Sequence, residues 1–305
     1  AASITGVPAN HTAFALPLNG FLHTDQPHFY RFADDGETEE EFASRCADNL
    51  DKLIVAEGPD TVAAFFAEPV MGAGGVIVPP KTYFEKIQAV LQKHDVLMVA
   101  DEVICGFGRT GQMWGCETFG ITPDILTCAK ALTSGYIPIA AVLINQRVFD
   151  AIAPQTEEIG TFGHGFTYSG HPVPAAVALE TLKIYDEIDL VARVKQASKP
   201  FLKRLHSFTD HPLVGETMGV GLVGAVEMVA DKTTRAPFEP AGKTGAYLVA
   251  RAQAHGLIVR QLGDRIAFSP PLIISESEIG SMFDRFAAAL DETAEWLKTG
   301  GLTAN

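Results

Sequence analysis

The alternation of helical segments with short apolar runs, which begins near residue 40, constrains the fold of this chain more than any other feature. Two segments are predicted helices, TEEEFASRCADNLDKLIVAEG and TYFEKIQAVLQKHD. Four runs of strand length are mostly apolar, TVAAFFAEP, VLMVADEV, DILTCAK and AAVLINQ. Such runs are typical of parallel strands that are covered on both faces. The alternation therefore predicts an α/β fold with a mainly parallel sheet.

A second pattern begins after residue 170. The stretch HPVPAAVALETLKIYDEIDLVARVKQASKPFLKRL is predicted to be one long connector helix, which tolerates Pro172 and Pro174 only in its first turn. Beyond it we predict an antiparallel-type strand, a helix and a pair of strands, over GVGLVGAVEMV, AGKTGAYLVARAQAHG and LIVRQLGDRIAFSP. We expect a large domain over residues 1–206, connector included, and a smaller C-terminal α+β domain over residues 207–305.

The last predicted helix opens with a capping box, because Ser275 is followed three residues later by Glu278. Apolar residues then recur at helical spacing along one stripe. They are Ile279, Met282, Phe283, Phe286, Leu290 and Leu297.

Composition excludes several classes of protein. The 305 residues carry 23 lysines and arginines against 37 acidic residues, a net charge of −14, and no basic run could follow a phosphate backbone. No stretch reaches the roughly 18 apolar residues that a membrane span needs, and the start lacks a basic segment leading into an apolar one. Four cysteines without a C-x-x-C pair favour neither a disulfide framework nor a zinc site. We expect a cytoplasmic protein with no nucleic-acid, membrane or metal partner.

Two side chains follow neighbouring strands of the predicted sheet. Asp101 ends the apolar run VLMVAD just before a glycine-rich turn, and ligands bind at the carboxyl ends of strands in such sheets. Lys130 ends the next run, where loss of solvation would make its neutral, nucleophilic amine accessible. Taken alone, Asp101 could merely cap the turn and Lys130 could be a surface lysine.

Together the two residues match the chemistry of pyridoxal phosphate. A lysine forms a Schiff base with the aldehyde of this cofactor, and an aspartate keeps the ring nitrogen protonated so that the ring accepts electrons. The pair Asp101 and Lys130 therefore predicts a pyridoxal-phosphate site.

Five separated motifs carry a resemblance to a known family. They are AEPVMGAGGVIVPP, VADEVICGFGRTG, PDILTCAKALTSGYIPIAAV, GHGFTYSGHPVPAAVALE and GDRIAFSPPLII. In this order, and over nearly the whole chain, they resemble the class III aminotransferases, which are pyridoxal-phosphate enzymes of fold type I. Among these the chain is most similar to the ω-aminotransferases that use pyruvate. The resemblance implies a large domain that binds pyridoxal phosphate and a homodimer with two active sites.

The resemblance also implies roles for single residues. Lys130 would be the Schiff-base lysine and the acid and base of the proton shift, and Asp101 the partner of the ring nitrogen. Val103, two residues along the same strand face, would pack on the ring. Thr167 would reach a phosphate that is bound mainly by the other subunit. Glu68 resembles a carboxylate that supports the site, although a purely structural role is an equal alternative.

The substrate side depends on three positions. Family members that use glutamate and 2-oxoglutarate typically pair a glutamate with an arginine where this chain has Ala73 and Ala267. At Arg260 the chain resembles the pyruvate-dependent members, which have a mobile arginine at this place. Such an arginine would bind a carboxylate and swing out for an apolar substituent. Trp114 and Phe162 could line the substrate pocket, or could simply be packed.

The predicted function is a ping-pong transfer of an amino group to pyruvate from an ω-amino acid, a diamine or a primary amine. Two alternatives stay open. An aminomutase of the same fold would share Lys130 and Asp101 but move the amine within one molecule. A non-catalytic fragment that only dimerises or binds partners would hold no cofactor.

The chain departs from the family pattern in two ways. Met218 stands where an arginine is usual, so the ion pair of that arginine is absent. A phosphate-binding turn of the Ser-Gly-Ser type, usual upstream, is not found before residue 50, nor is a tyrosine that stacks on the cofactor ring. We therefore expect that the N-terminal part of the fold is missing from this sequence.

Overall fold

The computed structural model describes residues 2–302 and contains nine helices and eight strands within that range. The helices are α1 (Phe29–Phe32), α2 (Glu39–Glu57), α3 (Tyr83–Lys93), α4 (Gly115–Phe119), α5 (Gln146–Ile159), α6 (Pro172–Glu187), α7 (Leu190–His206), α8 (Lys243–Ala254) and α9 (Glu276–Lys298). The strands are β1 (Ala64–Ala67), β2 (Leu97–Asp101), β3 (Ile125–Cys128), β4 (Ala141–Ile144), β5 (Val214–Val220), β6 (Val223–Met228), β7 (Arg260–Leu262) and β8 (Arg265–Phe268).

The first sheet has the strand order β1-β2-β3-β4, and β1, β2 and β3 run parallel. The predicted α/β pattern is confirmed here. The interpretation of AAVLINQ as a strand covered on both faces is wrong, because β4 pairs antiparallel with β3 and its successive residues Val142, Leu143 and Ile144 are all exposed. The reason lies in the connection. A parallel return needs a crossover, usually a helix, and the chain between β3 and β4 holds only a short 3-10 turn.

The second sheet is antiparallel with the strand order β5-β6-β8-β7. The segment GVGLVGAVEMV, predicted as a single strand, is in fact the end of β5, a tight turn and β6. Gly221 has a φ of +59°, and a Cβ there would collide with the backbone carbonyl of Arg109. The turn therefore requires glycine both for its conformation and for its close approach to the large domain.

The connector is two helices rather than one. Asp189 breaks it with a φ of +46°, and its side chain accepts a hydrogen bond from Ala192 N at 3.4 Å at the start of α7. Pro172 and Pro174 lie in the first turn of α6, as predicted. Helix α5 was not predicted from the sequence, and none of its residues is buried. The predicted capping box of α9 is confirmed, since Ser275 Oγ accepts from Glu278 N at 3.3 Å.

A continuous buried core runs through both halves of the chain. It includes Leu50 of α2, Ile87 of α3 and Phe201 of α7, and it extends to Phe283 and Phe286 of α9. The proposed division at residues 206/207 falls at the end of α7, and it stays a prediction because the core is shared.

Met218 lies in β5 beside a buried cluster of charges. Its sulfur accepts a hydrogen bond from Val78 N at 2.9 Å and lies 3.8 Å from Arg265 Nη2. Arg265, on β8, pairs with Glu216 at 2.8 Å and with Glu227, and both acidic side chains are largely buried. The ion pairs of this region are thus made by Arg265 rather than by position 218.

The segment before α2 is tied to the same cluster. His28 Nε2 lies 2.9 Å from Glu216 Oε2, and Arg31 of α1 pairs with Glu227. His28, Glu216 and Glu227 also lie close enough together to suggest metal ligation, but the guanidinium of Arg265 already stands among their carboxylates. We therefore describe this group, which also includes Arg31 and Arg265, as the small-sheet charge cluster. Within residues 2–302, no helix combines the length and the apolar content that crossing a membrane requires.

Candidate active site

Three charged side chains follow the carboxyl ends of three neighbouring parallel strands. Glu68 comes directly after β1, Asp101 is the last residue of β2, and Lys130 follows β3 by two residues. Because parallel strands end at one edge of a sheet, the fold brings these groups to one place. This is the arrangement that the sequence predicted for Asp101 and Lys130.

Asp101 lies opposite Thr127 in the pairing of β2 with β3, and both residues line a large cleft. Its Oδ1 accepts a hydrogen bond from Val103 N at 3.0 Å, as a turn-capping aspartate does. Its second oxygen has no hydrogen-bond partner among residues 2–302 and is available to a ligand. Val103 itself is not on the strand face where it was predicted, because β2 ends at Asp101 and Val103 lies in the following turn.

The neighbouring residue Glu102 was not predicted to have a role in the site. Its side chain is fully buried, and its carboxylate accepts hydrogen bonds from Gly115 N at 2.9 Å and from Cys116 N at 2.6 Å. Burial raises the pKa of Glu102, and these two amide donors only partly oppose that rise. The sequence signal was an acidic residue inside an apolar run, since a buried carboxylate needs partners of this kind.

Lys130 begins a short turn of residues 130–135, which we call the Lys130 turn. Its φ is +44°, in the left-handed region, and its carbonyl accepts a hydrogen bond from Gly135 N at 3.0 Å. The side chain is exposed, so residues 2–302 do not provide the loss of solvation that was predicted from the apolar run before it. The reason is that the chain turns after the end of β3, so Lys130 does not continue the buried strand.

The pKa of Glu68 depends on both of the other charged groups. Burial raises the pKa of its carboxyl, and a hydrogen bond from Gly72 N at 2.8 Å opposes the rise. The charge of Asp101 raises this pKa further, whereas the charge of Lys130 lowers it. Glu68, Asp101 and Lys130 therefore share one electrostatic environment.

The cleft in front of Asp101 has a volume of about 2160 Å³. Glu68, Met71, Thr127 and Leu262 contribute to its walls, and residues 4–8, 15–17 and 20–27 form another wall. Asp101 and Thr127 line it, whereas Lys130 and Arg260 are not among its lining residues.

The remaining predicted residues lie outside this group. Trp114 is partly buried and packs on Phe107, with ring centroids 4.9 Å apart, which favours the alternative that it is simply packed. Phe162 and Thr167 lie in an exposed loop between α5 and α6. The structure does not bring these three side chains to the cleft.

Arg260 is the first residue of β7 and is exposed. It pairs directly with Ala267 of β8, so both side chains project from the same face of the sheet. Ala267 packs against the cluster that contains Val70 and Val76. Among residues 2–302 the guanidinium of Arg260 has no hydrogen-bond or ion-pair partner.

Comparison with known proteins agrees with the predicted family. The sequence model described as Aminotransferase class-III matches residues 11–290. "Gamma aminobutyrate transaminase 3, chloroplastic" from Solanum lycopersicum is 54% identical over 292 residues, which are 96% of this chain and 56% of that protein. "Gamma aminobutyrate transaminase 1, mitochondrial" from the same species is 52% identical, over 96% of this chain and 57% of that protein. The chain thus spans a little over half the length of these relatives.

Solved structures match closely as well. The ω-transaminase from Pseudomonas jessenii in complex with PMP superposes with a TM-score of 0.96 at 57% identity, over 98% of this chain and 66% of that chain. A structure described as "Transaminase with L-ala" superposes with a TM-score of 0.95 at 54% identity, over 97% of this chain and 70% of that chain.

Proposed function

This chain belongs to the class III aminotransferase family, and from that premise we propose that it acts as a pyridoxal-phosphate-dependent aminotransferase. The observation that carries the proposal is the convergence of Glu68, Asp101 and Lys130 at one edge of the parallel sheet. The name of the P. jessenii structure, which holds PMP, supports the choice of cofactor.

The donor set fits pyridoxal phosphate. An exposed primary amine on Lys130 suits the aldehyde of the cofactor, and the unpartnered carboxylate oxygen of Asp101 suits its ring nitrogen. Among residues 2–302, Arg109 is partly buried and donates to Leu222 O and Pro270 O, so it is engaged between the two halves of the chain rather than with the phosphate. Thr167 is our proposed contact to that phosphate.

When bound, pyridoxal phosphate supplies an aldehyde that takes up the amino group and a ring that accepts electrons. Asp101 holds a proton at the ring nitrogen through its free oxygen, because a carboxylate stabilises the positive charge there. The Nζ of Lys130 would hold the cofactor, and the same amine would move a proton to and from the substrate carbon. Glu68 would lie beside both groups, where burial and the charge of Asp101 raise the pKa of its carboxyl and Lys130 lowers it.

The proposed donors are ω-amino acids, diamines or primary amines, and the proposed acceptor is pyruvate. The names of the relatives, transaminases of γ-aminobutyrate, support an ω-amino acid as donor. Ala267 leaves space beside Arg260 on the same face of the sheet, which supports a guanidinium that moves to bind an acceptor carboxylate. Trp114 and Phe162 remain candidates for the pocket wall only if they move or meet a second subunit.

We further propose that the protein works as a homodimer. Thr167 stands in a loop with exposed aromatic side chains, of which Phe166 is 79% and Tyr168 82% accessible. Such apolar exposure is typical of a protein interface. A cytoplasmic location stays a prediction, and the relatives named above are described as chloroplastic and mitochondrial.

Borohydride trapping followed by peptide mapping tests the proposed function. Reduction of the protein with pyridoxal phosphate should fix the cofactor on Lys130, because this is the amine beside Asp101 and Glu68. The exposed Lys183 of α6 serves as an internal control. Label on Lys183, Lys81 or Lys86 instead, or no label at all, would contradict the proposal.

A further inference from the structure

The Lys130 turn holds two residues in a backbone conformation that side chains with a Cβ rarely adopt. Lys130 has a φ of +44° and Ser134 a φ of +49°. Left-handed backbone persists at such residues only where the surrounding structure holds it in place, and it is often found at functional sites. The turn that presents Lys130 therefore needs an external support.

Tyr185, on α6, supplies that support. Its side chain is buried, and its hydroxyl donates a hydrogen bond to the carbonyl of Ala131 at 2.7 Å. The same hydroxyl lies 2.8 Å from Ser134 Oγ. A phenol has a single proton, so Ser134 must donate to Tyr185 while Tyr185 donates to Ala131. The Tyr185 hydroxyl thus bonds to two residues of the Lys130 turn, Ala131 and Ser134.

The ring of Tyr185 contacts the turn that follows β2 as well. Its centroid lies 6.5 Å from that of Phe107, which has a φ of +60° in the glycine-rich stretch after Asp101. Phe107 in turn packs on Trp114. Tyr185 therefore touches both segments that carry the chemistry, one through its hydroxyl and one through its ring.

We propose that Tyr185 is a positioning residue that fixes the Lys130 turn and so sets the direction of the Lys130 amine relative to Asp101. It does not itself touch substrate or cofactor. The inference rests on the proposed function, because positioning of Lys130 matters only if that amine reacts. Ser134 and Tyr185 are 51 residues apart in the sequence, so no local sequence pattern could predict their contact.

The variant Tyr185→Phe removes the hydroxyl and keeps the ring against Phe107. Amide hydrogen exchange at Ser134 and Gly135, whose amides close the turn, should speed up by roughly tenfold or more. The catalytic constant should fall by about ten- to a hundred-fold, because a small displacement of a reacting group has an effect of that order, while KM for the amine stays within about twofold. The urea midpoint of unfolding should change little.

Two further variants make the test specific. Ser134→Ala removes one of the two contacts of the hydroxyl and should raise exchange at Gly135 by roughly threefold. Tyr247→Phe, at a tyrosine that stacks on Trp296, is the matched control and should change neither exchange in the turn nor turnover. Unchanged exchange in both Tyr185→Phe and Ser134→Ala, or a loss of turnover that merely follows a lower unfolding midpoint, would overturn the proposal.

The two proposals fail in different ways. If borohydride labels Lys130 in the native protein but Tyr185→Phe behaves as the native protein does, only the positioning role is wrong. If Lys130 is not labelled in the native protein, the proposed function is wrong whatever the exchange data give.

Discussion

At the scale of single residues, Asp101 uses its two carboxylate oxygens differently. Oδ1 accepts the backbone amide of Val103, while the other oxygen has no partner among residues 2–302. An asparagine could keep the first of these contacts, because its carbonyl oxygen is also an acceptor. It could not stabilise a positive charge at a ring nitrogen. The two contributions can therefore be separated by one substitution.

For Asp101→Asn we expect a folded protein with a transamination rate lower by roughly two to four orders of magnitude. Removing one partner of a desolvated charge pair costs about 3–5 kcal/mol. Steady-state turnover together with the urea midpoint measures both parts of the prediction. The control is Asp95→Asn at an exposed aspartate that pairs with Arg147. Near-normal turnover in Asp101→Asn would show that the ring is tuned by another group.

Arg260 carries the substrate prediction. Arg260→Ala should raise KM for pyruvate by roughly ten- to a hundred-fold, since hydrogen bonds to charged groups contribute about 1.5–3 kcal/mol. The half-reaction with an amine that lacks a carboxylate should be nearly intact, because that substrate does not need the guanidinium. Single-turnover kinetics of each half-reaction measure the difference.

The control for Arg260 is Arg193→Ala on α7, where the guanidinium donates to Ile273 O at 2.7 Å. Equal losses in both half-reactions of Arg260→Ala would indicate a structural role. A loss confined to the amine half-reaction would reverse the assignment of the pocket.

At the scale of elements, the turns after β2 and β3 are held by residues from elsewhere in the chain. Glu102 anchors the end of β2 to the first amides of α4, through Gly115 and Cys116. Tyr185 of α6 anchors the turn after β3. Both anchors are buried, so the turns that follow Asp101 and precede Gly135 are each tied to a neighbouring helix.

The small-sheet charge cluster joins α1 to three strands of the second sheet. Burial raises the pKa of Glu216, but the hydrogen bond from His28 and the charge of Arg265 outweigh it, and the pKa lies below its usual value. A carboxyl with a lowered folded-state pKa stabilises the protein above its unfolded-state pKa of about 4.3. That stabilisation is lost as the pH falls through the folded-state pKa.

Acid stability therefore tests the cluster. Glu216→Gln should lower the free energy of unfolding at pH 7 by about 3–5 kcal/mol, as loss of one partner of a buried ion pair does. The variant should also lose less stability than the native protein between about pH 5 and pH 3. Urea unfolding across this range measures both effects. Glu180→Gln, at an exposed glutamate beside Lys183, should leave the pH profile unchanged. A parallel profile for Glu216→Gln would be evidence against the cluster.

At the scale of the whole molecule, one side of the first sheet is unusually apolar and open. Strand β4 pairs only with β3 among the described residues, and Val142, Leu143, Phe149 and Leu179 are exposed nearby on β4, α5 and α6. Both faces of β4 are open, because consecutive residues on a strand point to opposite sides. The loop that contains Thr167 continues this apolar exposure.

We expect the protein to be a dimer in light scattering, with about twice the 32.6 kDa of a single chain. Phe166→Asp should weaken the dimer by roughly tenfold or more, because a charge would be buried in the interface. Ile258→Asp is the matched control, since Ile258 is similarly exposed but lies on the smaller half of the chain, before β7. A fully active monomer would contradict the homodimer.

The sequence by itself determined what depends on neighbours along the chain. The alternation of helical segments with short apolar runs identified α2, α3 and the parallel strands, and the capping box identified the start of α9. Asp101 and Lys130 could be selected because each follows an apolar strand, and strand ends of a parallel sheet meet at one edge. The motifs around them were sufficient to predict the family.

Only the tertiary structure decided features that depend on partners far away in the sequence. The direction of β4, the break at Asp189 and the burial of Glu102 are set by packing, which leaves no periodic signal. The exposure of Lys130 and the bond of Tyr185 to its turn likewise depend on how α6 lies against the turn that follows β3. Sequence patterns report local conformation and average burial, whereas the orientation of a reactive side chain is fixed by contacts between segments that fold together.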